Sequence, residues 1–305
     1  MACFFPMPAR RVGGRVEMLQ RGPRRFNNNK TATLQLPCGR CIGCRLEYSR
    51  QWAVRCLHEA QMHKDNCYLT LTFDDDHLPR DMSLHYDVFQ KFLKRLRKRY
   101  GDKKIRFYMC GEYGEEFQRP HFHCILFGHD FSDKVVHSRT SSGFRLYVSA
   151  ELSKLWPFGF STIGDVTFES AAYVARYVMK KVTGDAAEEH YRYLDPETGE
   201  LFDRVPEFCH MSLKPGIGAT WSDKFQSDIF PHGYVVARGQ KMQPPKYYEK
   251  RFAKLSAFGE EVLNEIKARR RAVGEKKRAD GTDDRLEVRK IVSEARAALS
   301  QRSIE

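Results

Sequence analysis

The sequence predicts an α+β fold: a central antiparallel β-sheet flanked by helices, with a basic, cysteine-rich N-terminal segment before it and a charged helical tail after it. Three observations predict it. Between residues 67 and 182, short β-rich runs mix with stretches of helical periodicity in an order that suits antiparallel strands backed by helices. The first forty residues hold many arginines and only Glu17 as an acid. From Tyr247 onward the chain lacks proline and is dense in charge. Four segments are therefore expected: an arm with a cysteine cluster and an amphipathic helix (1–65), a core (66–184), a loop-rich extension (185–246) and the tail (247–305).

The arm reads as extended, with two glycine-rich breaks and one strand at 32–36. From Ile42 the apolar positions Ile42, Leu46, Ala53, Cys56, Leu57 and Ala60 keep a 3.6-residue period, which predicts a helix over 42–62. Residues 67–73 alternate and are β-rich, so they form a strand that ends at Asp74-Asp75-Asp76, a solvated turn. Phe89, Phe92, Leu93 and Leu96 among lysines and arginines predict a basic-faced helix over 86–100. Strands follow at 105–112 and 120–127, with Gly111 and Gly114 marking the turn beyond the first. A loop with serines and glycines leads to a short helix at 150–155, a strand at 160–168 and a helix at 170–182. Beyond Gly184, Pro196, Pro206, Pro215, Pro231, Pro244 and Pro245 limit the chain to loops and short strands. The tail is helical, with breaks at Gly274 and at Ala279-Asp280-Gly281-Thr282.

A formal net charge of +13 and a pI near 9.3 fit a polyanionic partner, of which nucleic acid is the commonest. No run of eighteen apolar residues occurs, and Met1-Ala2-Cys3-Phe4-Phe5-Pro6 lacks a secretory core, so a soluble chain is expected. Of nine cysteines, three sit as Cys38-Gly39-Arg40-Cys41-Ile42-Gly43-Cys44. Two residues between neighbours suit soft-metal ligands, and a closed structural Zn²⁺ site requires a fourth. Cys3 is the favoured fourth, brought back by the arm; Cys56 and His58 are alternatives, and reduced thiols without metal are the plain reading.

His121 and His123 flank Phe122 in Arg119-Pro120-His121-Phe122-His123-Cys124-Ile125-Leu126-Phe127. Alternate strand residues share a face, so both imidazoles point one way and can hold a divalent ion if a third ligand arrives. Glu112 ends the preceding strand and returns beside them through the turn at Gly114, giving two histidines and a carboxylate with positions left for water and phosphate oxygens. Glu115 and Glu116 compete from within the turn. Farther on comes Tyr173-Val174-Ala175-Arg176-Tyr177-Val178-Met179-Lys180-Lys181, where helical spacing stacks Tyr173, Tyr177 and Lys181 on one face. Aromatics so spaced ordinarily face a core, but Arg176, Lys180 and Lys181 make this helix cationic, as phosphate binding requires. Mg²⁺ or Mn²⁺ to polarise a phosphate, two phenols to attack it and Lys181 to orient it or protonate the departing oxygen point to transesterification of a nucleic-acid strand. Arg119, Arg176 and Lys180 are candidate DNA contacts. The basic faces at 91–99 and 269–271 offer a further DNA path, and Tyr247-Tyr248 either stack on bases or, more simply, pack.

Leu69-Thr70-Leu71-Thr72-Phe73, the Pro-His-Phe-His strand and the Tyr-x-x-x-Tyr-x-x-Lys-Lys helix stand in the order of three motifs of rolling-circle replication initiators, and the chain resembles that family, the HUH endonucleases. Its tyrosine pair is similar to the two-tyrosine subgroup of small single-stranded DNA phages. The run from Pro37 to Arg45, Cys110-Gly111-Glu112-Tyr113-Gly114 and the tyrosine helix resemble more closely the replication initiators of gokushovirus-type microviruses. The resemblance implies a palm-like sheet, His121 and His123 as metal ligands, and Tyr173 and Tyr177 as paired nucleophiles. One would form a 5′-phosphotyrosine on a single-stranded or hairpin origin and free a 3′-hydroxyl for the host polymerase; the other would cut the regenerated origin. The 69–73 motif is assigned to scaffold. It further implies work in the cytoplasm of the bacterial host, and the lack of a Gly-x-x-x-x-Gly-Lys loop leaves unwinding to a host helicase. Two other readings stay open: a zinc-stabilised nucleic-acid-binding protein without catalysis, and a two-tyrosine transposase or relaxase.

Overall fold

The computed structural model describes residues 3–19, 33–114, 117–140, 142–176, 181–182 and 184–301. Its N-terminal part is not an extended arm. β1 (Met7–Val12) and β2 (Arg15–Met18) form a hairpin, and β3 (Leu34–Leu36) pairs with the other edge of β1, giving a small antiparallel sheet. Gly13 and Gly14 both take positive φ, the conformation a two-residue hairpin loop demands, so the supposed break is the turn itself.

α1 (Ile42–Ala60) and β4 (Asn66–Phe73) follow the predicted periods, and β4 alternates strictly, burying Cys67, Leu69, Leu71 and Phe73. α2 (Tyr86–Tyr100) turns Phe89, Phe92, Leu93 and Leu96 inward. β5 (Arg106–Tyr113) and β6 (Pro120–Phe127) are buried along nearly their whole length. The stretch read as a loop holds a second hairpin, β7 (Val135–Arg139) and β8 (Arg145–Val148). β7 is exposed throughout, so burial imposes no alternation on its sequence. Ser149 caps α3 (Ala150–Leu155) by accepting the Leu152 N–H. β9 (Gly159–Gly164) stops short of the predicted 168 because Phe168 opens α4 (Phe168–Arg176). Thr167 and Ser170 fix that start, each accepting the other's backbone N–H on its hydroxyl oxygen.

Short helices join the expected short strands after residue 184: α5 (Ala186–Tyr191), the hairpin of β10 (Arg192–Leu194) and β11 (Leu201–Asp203), β12 (Phe208–Met211), α6 (Ala219–Lys224), α7 (Gln226–Ile229), and the hairpin of β13 (Val235–Ala237) and β14 (Gln240–Met242). The tail comprises α8 (Lys246–Leu255), α9 (Gly259–Lys276), a 3₁₀ turn at Arg278–Gly281 and α10 (Asp283–Gln301). α9 runs through Gly274, against expectation. An exposed helical glycine costs only about 1 kcal/mol. The break falls at 256–258 instead, where the chain doubles back so closely that a Cβ on Gly259 would lie 2.5 Å from the Phe252 carbonyl oxygen.

The large sheet is antiparallel throughout, in the order β12-β5-β6-β4-β9-β8-β7. α2 and α3 cover one face, over Leu69, Leu71, Met109, Phe122 and Cys124. α1 and α4 cover the other, where Ala53, Cys56, Ala171, Val174 and Ala175 pack on Tyr108, Cys110, Ile125 and Phe127. The outer side of α1 meets α8 and α9 around Val54, Tyr248, Leu263 and Ile266. Among the described residues, no helix is long and apolar enough to cross a membrane.

Candidate active site

Strand register decides which side chains share the face covered by α1 and α4. His121 lies across from Glu112 on β5 and Thr72 on β4; His123 lies across from Cys110 and Thr70. Glu112, His121, His123, Tyr68 and Thr70 therefore stand on one side of the sheet.

They meet at Glu112. Its Oε1 is 2.6 Å from His121 Nε2 and 2.8 Å from His123 Nε2. The carboxylate is only 2% exposed, against 5% for His123 and 15% for His121. Burial alone would raise the carboxyl pKa, but the charge of His123 and hydrogen bonds from both imidazoles outweigh it and hold Glu112 at about 2. It is an anion at neutral pH.

The far side of each ring is held as well. His121 Nδ1–H donates to the Arg119 carbonyl at 3.0 Å, which puts the ring's lone pair on Nε2 in its neutral form. His123 Nδ1 lies 2.6 Å from the Tyr68 hydroxyl and 3.1 Å from Thr70 Oγ1. Such outer partners orient metal-binding imidazoles. Two Nε2 atoms aimed at one carboxylate oxygen require positive charge among them, either protons on the rings or a shared cation. The donor set fits the cation. The three ligand atoms lie within 4.8 Å of one another. An octahedral ion with bonds of about 2.1 Å spaces adjacent donors about 3 Å apart, so the nitrogens need shift only by tenths of an ångström.

α4 carries Tyr173 to this point. Ala171, Val174 and Ala175 are buried, and Ser49 Oγ on α1 donates to the Ala172 carbonyl at 3.1 Å, fixing the helix. The Tyr173 ring stands edge-on to His123, 5.3 Å between centroids, and edge-on to Tyr68 at 6.5 Å. Tyr173 and His123 line a cleft of about 350 Å³ with Tyr68 and Thr70, and Arg139, Phe144 and Arg145 of the β7–β8 hairpin reach the same cleft.

The other candidates fare differently. Tyr177, Lys180, Glu115 and Glu116 lie outside the described residues, as does the side chain of Arg176. Lys181 is half-buried but not helical, so the helical stack of Tyr173, Tyr177 and Lys181 does not extend to it. The N–H of its neighbour Val182 donates to the Tyr191 hydroxyl at 3.0 Å, not to a carbonyl one turn back. The Arg119 guanidinium is already engaged by the Phe73 carbonyl and the Asp75 carboxylate, bracing the turn after β4. Asp74 accepts the His77 N–H and closes that turn. Tyr248 is buried beside His58, and Tyr247 lies under the Arg55 guanidinium at 4.1 Å, so this pair packs.

A second cluster forms at the start of α1, where the sulfurs of Cys3, Cys38, Cys41 and Cys44 lie within 4.8 Å of one another. Cys56 is buried in the core under α4, and His58 stacks on Trp221, so neither joins it. Sequence reasoning missed Tyr68, Thr70 and the hairpin. A signal existed for the first two: Tyr68, Thr70 and Thr72 are the polar register of an otherwise apolar alternating strand.

Residues 66–182 match the family model for the ORF2 type of replication-associated protein. The chain is 35% identical to the replication-associated protein VP4 of Bdellovibrio phage phiMH2K over 230 residues, 73% of this chain and 69% of that protein. It is 30% identical to the replication-associated protein ORF2 of Spiroplasma virus 4 over 82% of this chain and 78% of the relative. To the replication-associated protein ORF4 of Chlamydia phage 1 it is 38% identical over 80% of this chain and 61% of the relative. No solved structure matches.

Proposed function

The chain belongs to the microvirus replication-associated proteins, and from that premise we propose that it is the nicking and joining endonuclease that starts rolling-circle replication of phage DNA. One observation carries the reading: the Tyr173 phenol stands edge-on to His123, itself bonded to the buried carboxylate that also holds His121.

When bound by Glu112, His121 and His123, a divalent ion such as Mg²⁺ or Mn²⁺ supplies a Lewis acid for the scissile phosphate. Tyr173 Oη attacks phosphorus, the bond from phosphorus to the 3′ oxygen breaks, and the 5′ end stays on the protein as a phosphotyrosine. The phenol gives up its proton and the departing oxygen takes one, for which Lys181 is the candidate donor. Attack by a 3′-hydroxyl on the phosphotyrosine reverses these steps and joins the strand. Tyr177 is the second nucleophile, which cuts the regenerated origin. Phe144 offers a ring for a base, and Arg139 and Arg145 offer charge for the backbone, of an unpaired strand entering the cleft. The released 3′-hydroxyl serves the host polymerase, with a host helicase opening the duplex.

The test uses Tyr173→Phe and Tyr177→Phe, singly and together, with a fluorescent single-stranded origin oligonucleotide and a denaturing gel. Each single variant keeps a reduced adduct and the double variant forms none. An adduct that survives in the double variant removes the assignment.

A further inference from the structure

We propose that Cys3, Cys38, Cys41 and Cys44 hold one zinc ion in a closed tetrathiolate site that fastens the N-terminal sheet to the head of α1. The spacing of the sulfurs suits such an ion. Cys38 and Cys44 sulfurs are 4.0 Å apart, and those of Cys3 and Cys41 are 3.9 Å apart. Tetrahedral zinc with Zn–S bonds of about 2.3 Å separates its sulfurs by about 3.8 Å. None of the four is in a disulfide.

Backbone amides point at the sulfurs. Cys3 Sγ accepts the N–H groups of Phe5 and Cys38 at 3.3 and 3.2 Å, Cys41 Sγ that of Phe4 at 3.3 Å, and Cys38 Sγ that of Cys41 at 3.4 Å. A neutral thiol is a weak acceptor, whereas a zinc-bound thiolate is anionic and takes such bonds readily. The helix adds to this. Cys41 is the N-cap of α1 and Cys44 lies in its first turn, which carries no acidic side chain, so the thiolates are the anions that the helix N-terminus stabilises.

The small sheet also needs the ion. β2 is exposed along its whole length and β3 is at most half-buried. From Cys3 to Met18, only Cys3, Phe4, Pro8 and Ala9 are buried. So little apolar area cannot hold a sheet in place, and small units of this kind rely on a metal or disulfides. With all four positions taken by protein the site is structural. Uptake is balanced by protons alone: four S–H groups release four protons to water as four Zn–S bonds form, with no change of oxidation state. Through α1, which packs on α4, the clasp bears on the helix that carries Tyr173.

The experiment uses the full chain without a histidine tag, purified by gel filtration, with zinc measured by plasma mass spectrometry. One zinc per chain is expected in the wild type and in Glu112→Ala, which separates this site from the reaction site; Cys38→Ser and Cys3→Ser lose it. Should the serine variants fail to fold, cobalt titrated into the zinc-stripped wild type gives the intense visible bands of a tetrahedral thiolate complex. The stripped chain is cut rapidly by trypsin at Arg10, Arg11 and Arg15, and added zinc restores protection. A wild type that carries no zinc and gives no tetrahedral cobalt spectrum overturns the proposal. So does zinc content unchanged in folded Cys38→Ser, or disulfides among the four cysteines in the unreduced protein.

Discussion

Tyr68→Phe removes one oxygen, the nearer of the two that hold His123 Nδ1, at 2.6 Å against 3.1 Å for Thr70 Oγ1. The ring that remains keeps its packing, stacked on His123 at 5.8 Å and edge-on to Tyr173. Burial, with the nearby Tyr173 adding to it, holds the Tyr68 phenol pKa well above its ordinary value, so the group is neutral at working pH and no charge is lost. What disappears is a neutral hydrogen bond, worth about 1 kcal/mol net. Outer partners of metal-binding imidazoles change affinity by about 10- to 100-fold, and with Thr70 still in place the lower figure applies. The initial nicking rate on a labelled single-stranded oligonucleotide, measured against Mn²⁺ concentration, should show a half-saturating Mn²⁺ about tenfold higher, with the saturated rate within about threefold of wild type. Thr70→Val should do less, and the double variant more than either. If Tyr68→Phe needs no more Mn²⁺ than wild type, or its rate stays low at saturating Mn²⁺, Tyr68 does not act by orienting His123.

Two further predictions concern what keeps this face assembled. Glu59, on α1, receives Arg106 Nε at 2.5 Å and the Gly218 N–H at 2.7 Å, and both charged groups are buried. Glu59→Ala strands the guanidinium and should cost about 3–5 kcal/mol in urea unfolding, whereas Glu59→Met with Arg106→Met should cost much less. His58 stacks between Trp221 and Tyr248, and burial lowers its pKa to about 3. Above its unfolded pKa of about 6.5 the ring is neutral in both states; below it the unfolded chain takes up a proton that the folded chain refuses, so stability falls with pH. Between pH 7 and about pH 4.5 the wild type should lose roughly 3 kcal/mol more than His58→Phe; parallel pH profiles of the two would contradict this.

The sequence was most readable where burial is one-sided and local. β4 alternates because one register faces α2, and α2 shows its stripe because Phe89, Phe92, Leu93 and Leu96 face the sheet. The pair of histidines and the carboxylate across a short turn could be read because neighbouring strands carry them. Non-local facts could not. That Thr70 sits across from His123 depends on a register set between strands more than fifty residues apart, and β12 reaches the sheet edge from almost a hundred residues beyond β5. β7 gave no pattern because it is exposed throughout. Gly13-Gly14 looked like flexibility because glycine pairs signal both breaks and hairpin turns, and only the strand pairing distinguishes them. Lys181 was placed on a helix by spacing alone, while the Tyr191 hydroxyl takes the backbone N–H next to it.

The central claim is that the Tyr173 hydroxyl attacks DNA phosphate beside the Glu112–His121–His123 cluster. Tandem mass spectrometry of the nuclease-trimmed protein–DNA adduct, formed with Mn²⁺ in Tyr177→Phe, tests it directly. A nucleotide phosphate on the Tyr173 side chain, absent when Glu112→Ala is added, is the predicted result. A nucleotide on any other residue, or nicked DNA with no covalent species, would contradict it.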